Sequence, residues 1–186
     1  MIPIALDPAR LSLAVAGRGA KALGRFQALR AGGASTALLF CDAPEPELAS
    51  EAGDALRLRL PDGNDLAALD VLWVVGLSDA EGEALAEAAR VQGVLVNVED
   101  VTPLCDFHSV AEVRRGDLLL TVSTGGRSPG LASRIKRRLA NEFGPEWADR
   151  VADIGALRDG WRAEGTSLGE LGERTNRAID AAGWLK

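Results

Sequence analysis

The sequence has little of what nucleophilic triads and metal centres are built from. One histidine, His108, stands among 186 residues, and there are two cysteines, Cys41 and Cys105. There is no Ser-His-Asp order, no HExxH and no cysteine pair at metal-ligand spacing, so no metal site is expected. Two cysteines make no disulfide framework, which predicts reduced thiols. No apolar run approaches the ~20 residues that a membrane-spanning helix needs. The stretch Met1-Ile-Pro-Ile-Ala-Leu-Asp7 lacks the basic flank and cleavage pattern of a signal peptide. A cytoplasmic protein is the expectation. Internal repeats and low-complexity tracts are absent, and so is any excess of positive charge: the net charge of −6 argues against a general nucleic-acid binder.

What is present is a chain with 47% hydrophobic and 26% charged residues, enough for one compact unit or a domain with a helical appendage. Its positive charge is unevenly placed. Arg114, Arg115, Arg127, Arg134, Lys136, Arg137 and Arg138 put a third of all Lys and Arg into 25 residues that hold a single acid, Asp117. Such a cluster is either a solvated helix face or a site for a polyanionic small molecule.

Short apolar runs alternate with helical stretches up to Val98. Strands are expected at Leu11 to Ala16, Thr36 to Cys41, Leu56 to Leu60, Val71 to Val75 and Val94 to Val98. Helices are expected over Lys21 to Ala31 and from Ser78, as cap, to Gln92. Runs apolar on both faces with crossover helices predict a parallel, doubly wound sheet. Two further strands, Phe107 to Val113 and Leu118 to Ser123, read as a hairpin-like pair. A basic helix over about Pro129 to Asn141 and a helical tail from Pro145 to Gly183 follow. The expected fold is α/β: a Rossmann-type parallel sheet over residues 1–113, a small α/β region over 114–144, and a helical C-terminal part over 145–186.

Gly17-x-Gly19-x-x-Ala22 follows the first strand and fits a dinucleotide fingerprint. Gly17 permits the tight turn, Gly19 the close approach of a pyrophosphate, and Ala22 close helix–strand packing. Asp42 lies 25 residues beyond Gly17, where an acid accepts hydrogen bonds from the adenosine ribose; that favours NAD over NADP. Asp100 ends the run Asn97-Val-Glu-Asp100 after the last parallel strand, either facing a cofactor's reactive end or capping the next segment. His108, in an apparent strand, reads as structural before catalytic. The loop Val122-Ser-Thr-Gly-Gly-Arg-Ser-Pro-Gly130 points backbone donors at an anion. Ser128-Pro129 there is a helix N-cap with proline at the first helical position, whereas Ser123, Thr124, Gly125, Gly126 and Arg127 offer donors that capping does not explain.

With these residues the chain resembles the precorrin-2 dehydrogenase / sirohydrochlorin ferrochelatase family, found alone or as the amino-terminal module of siroheme synthase. The resemblance rests on Gly17-x-Gly19-x-x-Ala22, Asn97-Val-Glu-Asp100, Cys105-Asp-Phe107, Arg114-Arg-Gly-Asp-Leu118 and Val122 to Ala132, in that order. It implies a homodimer with a dimerisation region over 114–144. It implies NAD-dependent oxidation of precorrin-2 to sirohydrochlorin, and in many members subsequent insertion of Fe²⁺. Asp100 matches the family's catalytic aspartate. Gly17, Arg18, Gly19, Ala20, Lys21, Ala22, Cys41 and Asp42 fall where the family holds NAD; Ser123, Thr124, Gly125, Gly126, Arg127 and Ser128 fall near its tetrapyrrole cleft. The family usually has three consecutive glycines in the first turn, and here Arg18 replaces the middle one. A non-catalytic NAD- or tetrapyrrole-binding carrier or sensor is the alternative reading.

Overall fold

The computed structural model describes residues 2–185. Five strands form its sheet: β1 (Leu13–Gly17), β2 (Leu38–Phe40), β3 (Leu56–Arg57), β4 (Val71–Val75) and β5 (Leu95–Val98). All neighbours are parallel, in the order β3-β2-β1-β4-β5. Parallel pairing needs crossovers, and these are α1 (Gly19–Ala31), α2 (Pro46–Ala52), α3 (Gly63–Leu66) and α4 (Asp79–Val91). The chain builds outward from β1 to β3, then returns to lay β4 on the other side of β1. That reversal opens a crevice beyond the carboxyl ends of β1 and β4, where ligands of such sheets bind.

Alternate strand residues point to opposite faces, and both faces are covered. Leu13, Val15, Val71, Trp73 and Val75 pack with Ala22, Leu23 and Phe26 of α1 and Leu48 of α2. Ala14, Ala16, Leu72, Val74, Val96 and Val98 pack with Leu85, Ala86 and Ala89 of α4 and Leu66 of α3. The unbroken apolar run Val71–Val75 is therefore buried at every position. The expected strand over Leu56 to Leu60 is shorter: only Leu56 and Arg57 pair, because the chain turns at Leu58, which is exposed, with Arg59 N–H donating to the Arg57 carbonyl.

The chain divides into two compact units, one ending at Ser109 and one beginning at Val110. The second holds an antiparallel pair, β6 (Ala111–Arg115) and β7 (Leu118–Val122), then α5 (Pro129–Glu142), α6 (Trp147–Ala163) and α7 (Leu168–Ala182). The strand expected from Phe107 starts at Ala111 instead, so His108 lies ahead of it and not within it. Side chains explain the shift: Asn97 Nδ2 donates to the Phe107 carbonyl at 2.8 Å, and Trp73 Nε1 donates to Ser109 Oγ at 3.1 Å. These bonds tie residues 107–109 to the parallel sheet. The helical tail is two helices, split where Ser167 caps α7 in a reciprocal box with Glu170. Among the described residues no helix is long and apolar enough to cross a membrane.

Candidate functional site

The first turn is set by a collision that only glycine avoids. A Cβ on Gly17 would run into the Val75 carbonyl, and one on Gly76 would stand 2.5 Å from the Arg18 carbonyl oxygen. Here β1 and β4 end in backbone contact, with Arg18 N–H donating to Val75 O at 3.1 Å. Gly19 has φ +69° and nothing within 4 Å of where a Cβ would stand, so the space over the start of α1 is open. Ala22 is fully buried against the sheet. A tight turn, an open helix N-terminus and a small third residue fit a pyrophosphate there.

Arg18 does not point away from this crevice. Its Nε and Nη2 both lie 2.7 Å from the oxygens of Asp42, at the end of β2. The same Nη2 reaches Glu81 Oε1 at 2.8 Å, and Nη1 reaches Glu81 Oε2 at 3.1 Å. One guanidinium thus joins the β1 turn, the β2 end and the first turn of α4. Hydrogen bonds from Arg18 hold the Asp42 carboxyl below its ordinary range. They bring Glu81 down to about 2, with the Ser78 hydroxyl and amide helping. Glu81 is not among the site residues expected from the sequence. The strand order was the signal that could have found it, since it sets the helix after β4 beside the turn after β1. Cys41 is fully buried, and its N–H donates to Arg57 O at 2.9 Å.

A second cluster sits beside the first. Lys21, in the first turn of α1, donates to Asp100 Oδ2 at 2.8 Å and lies 3.3 Å from Glu99 Oε2. The Asp100 bond, then Glu99, raises the Lys21 ammonium pKa. A cation in the first turn of a helix opposes the helix dipole, and the two carboxylates offset this. Asp100 is the only non-glycine with positive φ among the described residues, at +66°, and its side chain is largely exposed. Such conformations cost energy and persist where the surroundings hold them. The holding parts are visible. Asp106 accepts from Val96 N–H at 2.9 Å and from Arg90 Nε at 3.0 Å, Asn97 clamps Phe107, and the Cys105 thiol lies 3.1 Å from Val98 O. Burial pushes that thiol's pKa up, which leaves it a structural donor. Asn97 and Cys105-Asp-Phe107 therefore brace the loop that presents Asp100. Glu99 Oε2 and Arg25 Nε are the buried side-chain polar atoms without a hydrogen-bond partner among the described residues, and both border this cluster.

The glycine loop of the second unit is built differently. Thr124 Oγ1 accepts from Ser128 N–H and donates to the Ser128 carbonyl, both at 3.1 Å, and Ser128 Oγ caps α5 through Leu131 N–H at 3.3 Å. Ser123 Oγ accepts from Gly125 N–H at 3.2 Å, so all three loop hydroxyls hold the loop's own shape. Ser123, Gly125, Gly126 and Arg127 are exposed, as are Arg134, Lys136, Arg137 and Arg138 of α5. None of those five cations is in an ion pair among the described residues. Arg114 and Arg115, by contrast, are engaged: Arg114 pairs with Glu112, and Arg115 donates to the Phe143 and Ala140 carbonyls, closing the end of α5.

Comparison with known proteins agrees with this division. A family described as "Putative NAD(P)-binding" matches residues 4–111, and one described as sirohaem biosynthesis protein, central, matches residues 115–142. The siroheme synthase of Methylococcus capsulatus is 32% identical over 140 residues, covering 74% of this chain and 30% of that protein. That of Chromobacterium violaceum is 34% identical over 178 residues, covering 86% and 37%. The chain thus spans about a third of the length of these relatives. The solved structure of SirC, a precorrin-2 dehydrogenase, superposes with a TM-score of 0.78 at 22% identity, covering all of this chain and 93% of that one.

Proposed function

The chain belongs to the NAD(P)-binding family, joined here to the sirohaem biosynthesis central segment, and from that premise we propose that it oxidises precorrin-2 to sirohydrochlorin with NAD⁺. The observation that carries this reading is Asp100, presented at φ +66° beyond the sheet's carboxyl edge and gripped by Lys21. The bound nicotinamide supplies a hydride acceptor. Gly19, Ala20 and the start of α1 would hold the pyrophosphate, with Gly17 making the turn, and Asp42 would accept from the adenosine ribose. Precorrin-2 gives up a hydride and a proton; Asp100 takes the proton, and Lys21 holds its carboxylate in place.

The substrate is a polycarboxylate, and the exposed arginines suit it. The Ser123 hydroxyl, the Gly126 N–H and Arg127 would meet its acetate and propionate arms, with Thr124, Ser128 and the Gly125–Ser123 hydrogen bond fixing the loop. The region over 114–144 serves dimerisation, the protein works in the cytoplasm, and Fe²⁺ insertion with Asp100 as base is a second step. The test is anaerobic: NAD⁺ and fresh precorrin-2 are added to the protein, and NADH absorbance is followed beside the sirohydrochlorin spectrum. Coupled growth of both is expected. Binding of the tetrapyrrole with no NADH formed would replace the enzyme with the carrier reading.

A further inference from the structure

We infer that Glu81 is a specificity-determining residue, which secures the choice of NAD⁺ over NADP⁺ by saturating Arg18. The inference rests on the dinucleotide site proposed above. The usual discriminator is the acid at the end of the second strand, here Asp42, which accepts from ribose hydroxyls and repels a 2′-phosphate. Alone, that arrangement would be compromised in this chain. Arg18 stands against both Asp42 oxygens, and a guanidinium at that place is the group that accommodates a 2′-phosphate.

Glu81 removes this opportunity. Nη2 of Arg18 serves Asp42 at 2.7 Å and Glu81 at 2.8 Å, so both carboxylates converge on one nitrogen. With Nε and Nη1 also engaged, four hydrogen bonds occupy the guanidinium edges that a phosphate would use. Two anions and one cation leave the cluster at a net charge of −1. A ribose diol can still donate to Asp42, since each carboxylate oxygen keeps lone-pair capacity beyond the bond from Arg18. A 2′-phosphate dianion would face that net negative charge and would need Arg18 to release a carboxylate. Glu81 is itself fixed, accepting from Ser78 N–H at 3.0 Å and Ser78 Oγ at 2.6 Å, so it cannot swing aside without unmaking the α4 cap.

The test compares dissociation constants for NAD⁺ and NADP⁺, measured by calorimetry at one ionic strength in wild type, Glu81→Gln and Arg18→Gly. Glutamine retains the capping box and removes one charge. In Glu81→Gln the NADP⁺/NAD⁺ ratio of dissociation constants is expected to fall about tenfold, equivalent to about 1.4 kcal/mol, with NAD⁺ affinity held within about twofold. In Arg18→Gly, where two carboxylates stand without a cation, the ratio stays at or above the wild-type value. An unchanged ratio in Glu81→Gln, or a lowered one in Arg18→Gly, would overturn the inference while leaving the dinucleotide site intact. If wild type bound neither nucleotide, the proposed function would fall, and this inference with it.

Discussion

The two glycine turns of this chain face anions in opposite ways. At Gly17 the backbone is jammed against β4, and the neighbouring cation, Arg18, is neutralised by Asp42 and Glu81. Around Gly125 and Gly126 the loop is shaped by its own hydroxyls, and Arg127 and the α5 cations stand exposed. On the proposed reading, the first turn would select by fit and by refusing excess charge. The second collects charge without a defined partner, which suits a ligand that brings many carboxylates. Rigidity and saturation go with discrimination; exposure and surplus charge go with capture.

Replacing the glycines is the harshest way to test that contrast. Gly17→Ala drives a methyl into the Val75 carbonyl, between backbones that cannot yield. A loss of about 3 kcal/mol or more is expected, the upper end of overpacking, read as a lower urea midpoint or as insoluble protein. Gly126→Ala, at φ +77°, carries a left-handed backbone cost of about 1–2 kcal/mol. Equal losses at the two sites would erase the difference in rigidity.

Next in size is the chemical step, which the proposed mechanism assigns to the first region alone. Asp100→Asn preserves shape and the tolerance for positive φ but removes the base. The expected fall in kcat is about 10²–10⁴-fold, with the NAD⁺ dissociation constant unchanged by calorimetry. Full turnover in this variant would take Asp100 out of the mechanism.

How much of this was open to reading in the sequence depends on how local each cause was. Val71–Val75 was legible as a strand to the residue, because burial on both faces leaves an unbroken apolar run. The start of α5 was legible because Ser128-Pro129 is a local stop-and-start signal. The helices Pro46–Ala52 and Gly63–Leu66 were not, being too short to show a periodicity. His108 misled because Phe107 and Val110 look like strand residues, whereas Asn97 and Trp73 hold that segment through side chains. The site was half visible. Asp42 and Asp100 stood at strand ends, but the Arg18–Glu81 pair bridges 63 residues and the Lys21–Asp100 pair 79. Only the sheet order joins such positions.

For the second turn the contrast predicts a graded binding effect with no stability cost. Arg127→Ala combined with Arg134→Ala should raise the precorrin-2 KM about threefold to tenfold, since each exposed pair contributes modestly. Added salt should raise the wild-type KM in the same direction, while the melting temperature stays unchanged. A salt-independent KM would remove the basic face from substrate capture.

The smallest effect distinguishes the two turns by acid alone. In the folded chain Glu81 titrates near about 2 and Asp42 is also held low, both through Arg18. Carboxyls with depressed folded pKa values give stability that is fully present above their ordinary range and is lost as pH falls through the folded value. Wild type should therefore lose melting temperature progressively from about pH 4.5 downward. Glu81→Gln should show a shallower decline, because one fewer proton is taken up on unfolding. Arg127→Ala should keep the wild-type slope, since Arg127 has no carboxylate partner among the described residues. If Glu81→Gln also kept that slope, Arg18 would not be holding Glu81 in solution. Arg18 would then be held by Asp42 alone, and the saturation that sets the first turn apart from the second would be lost.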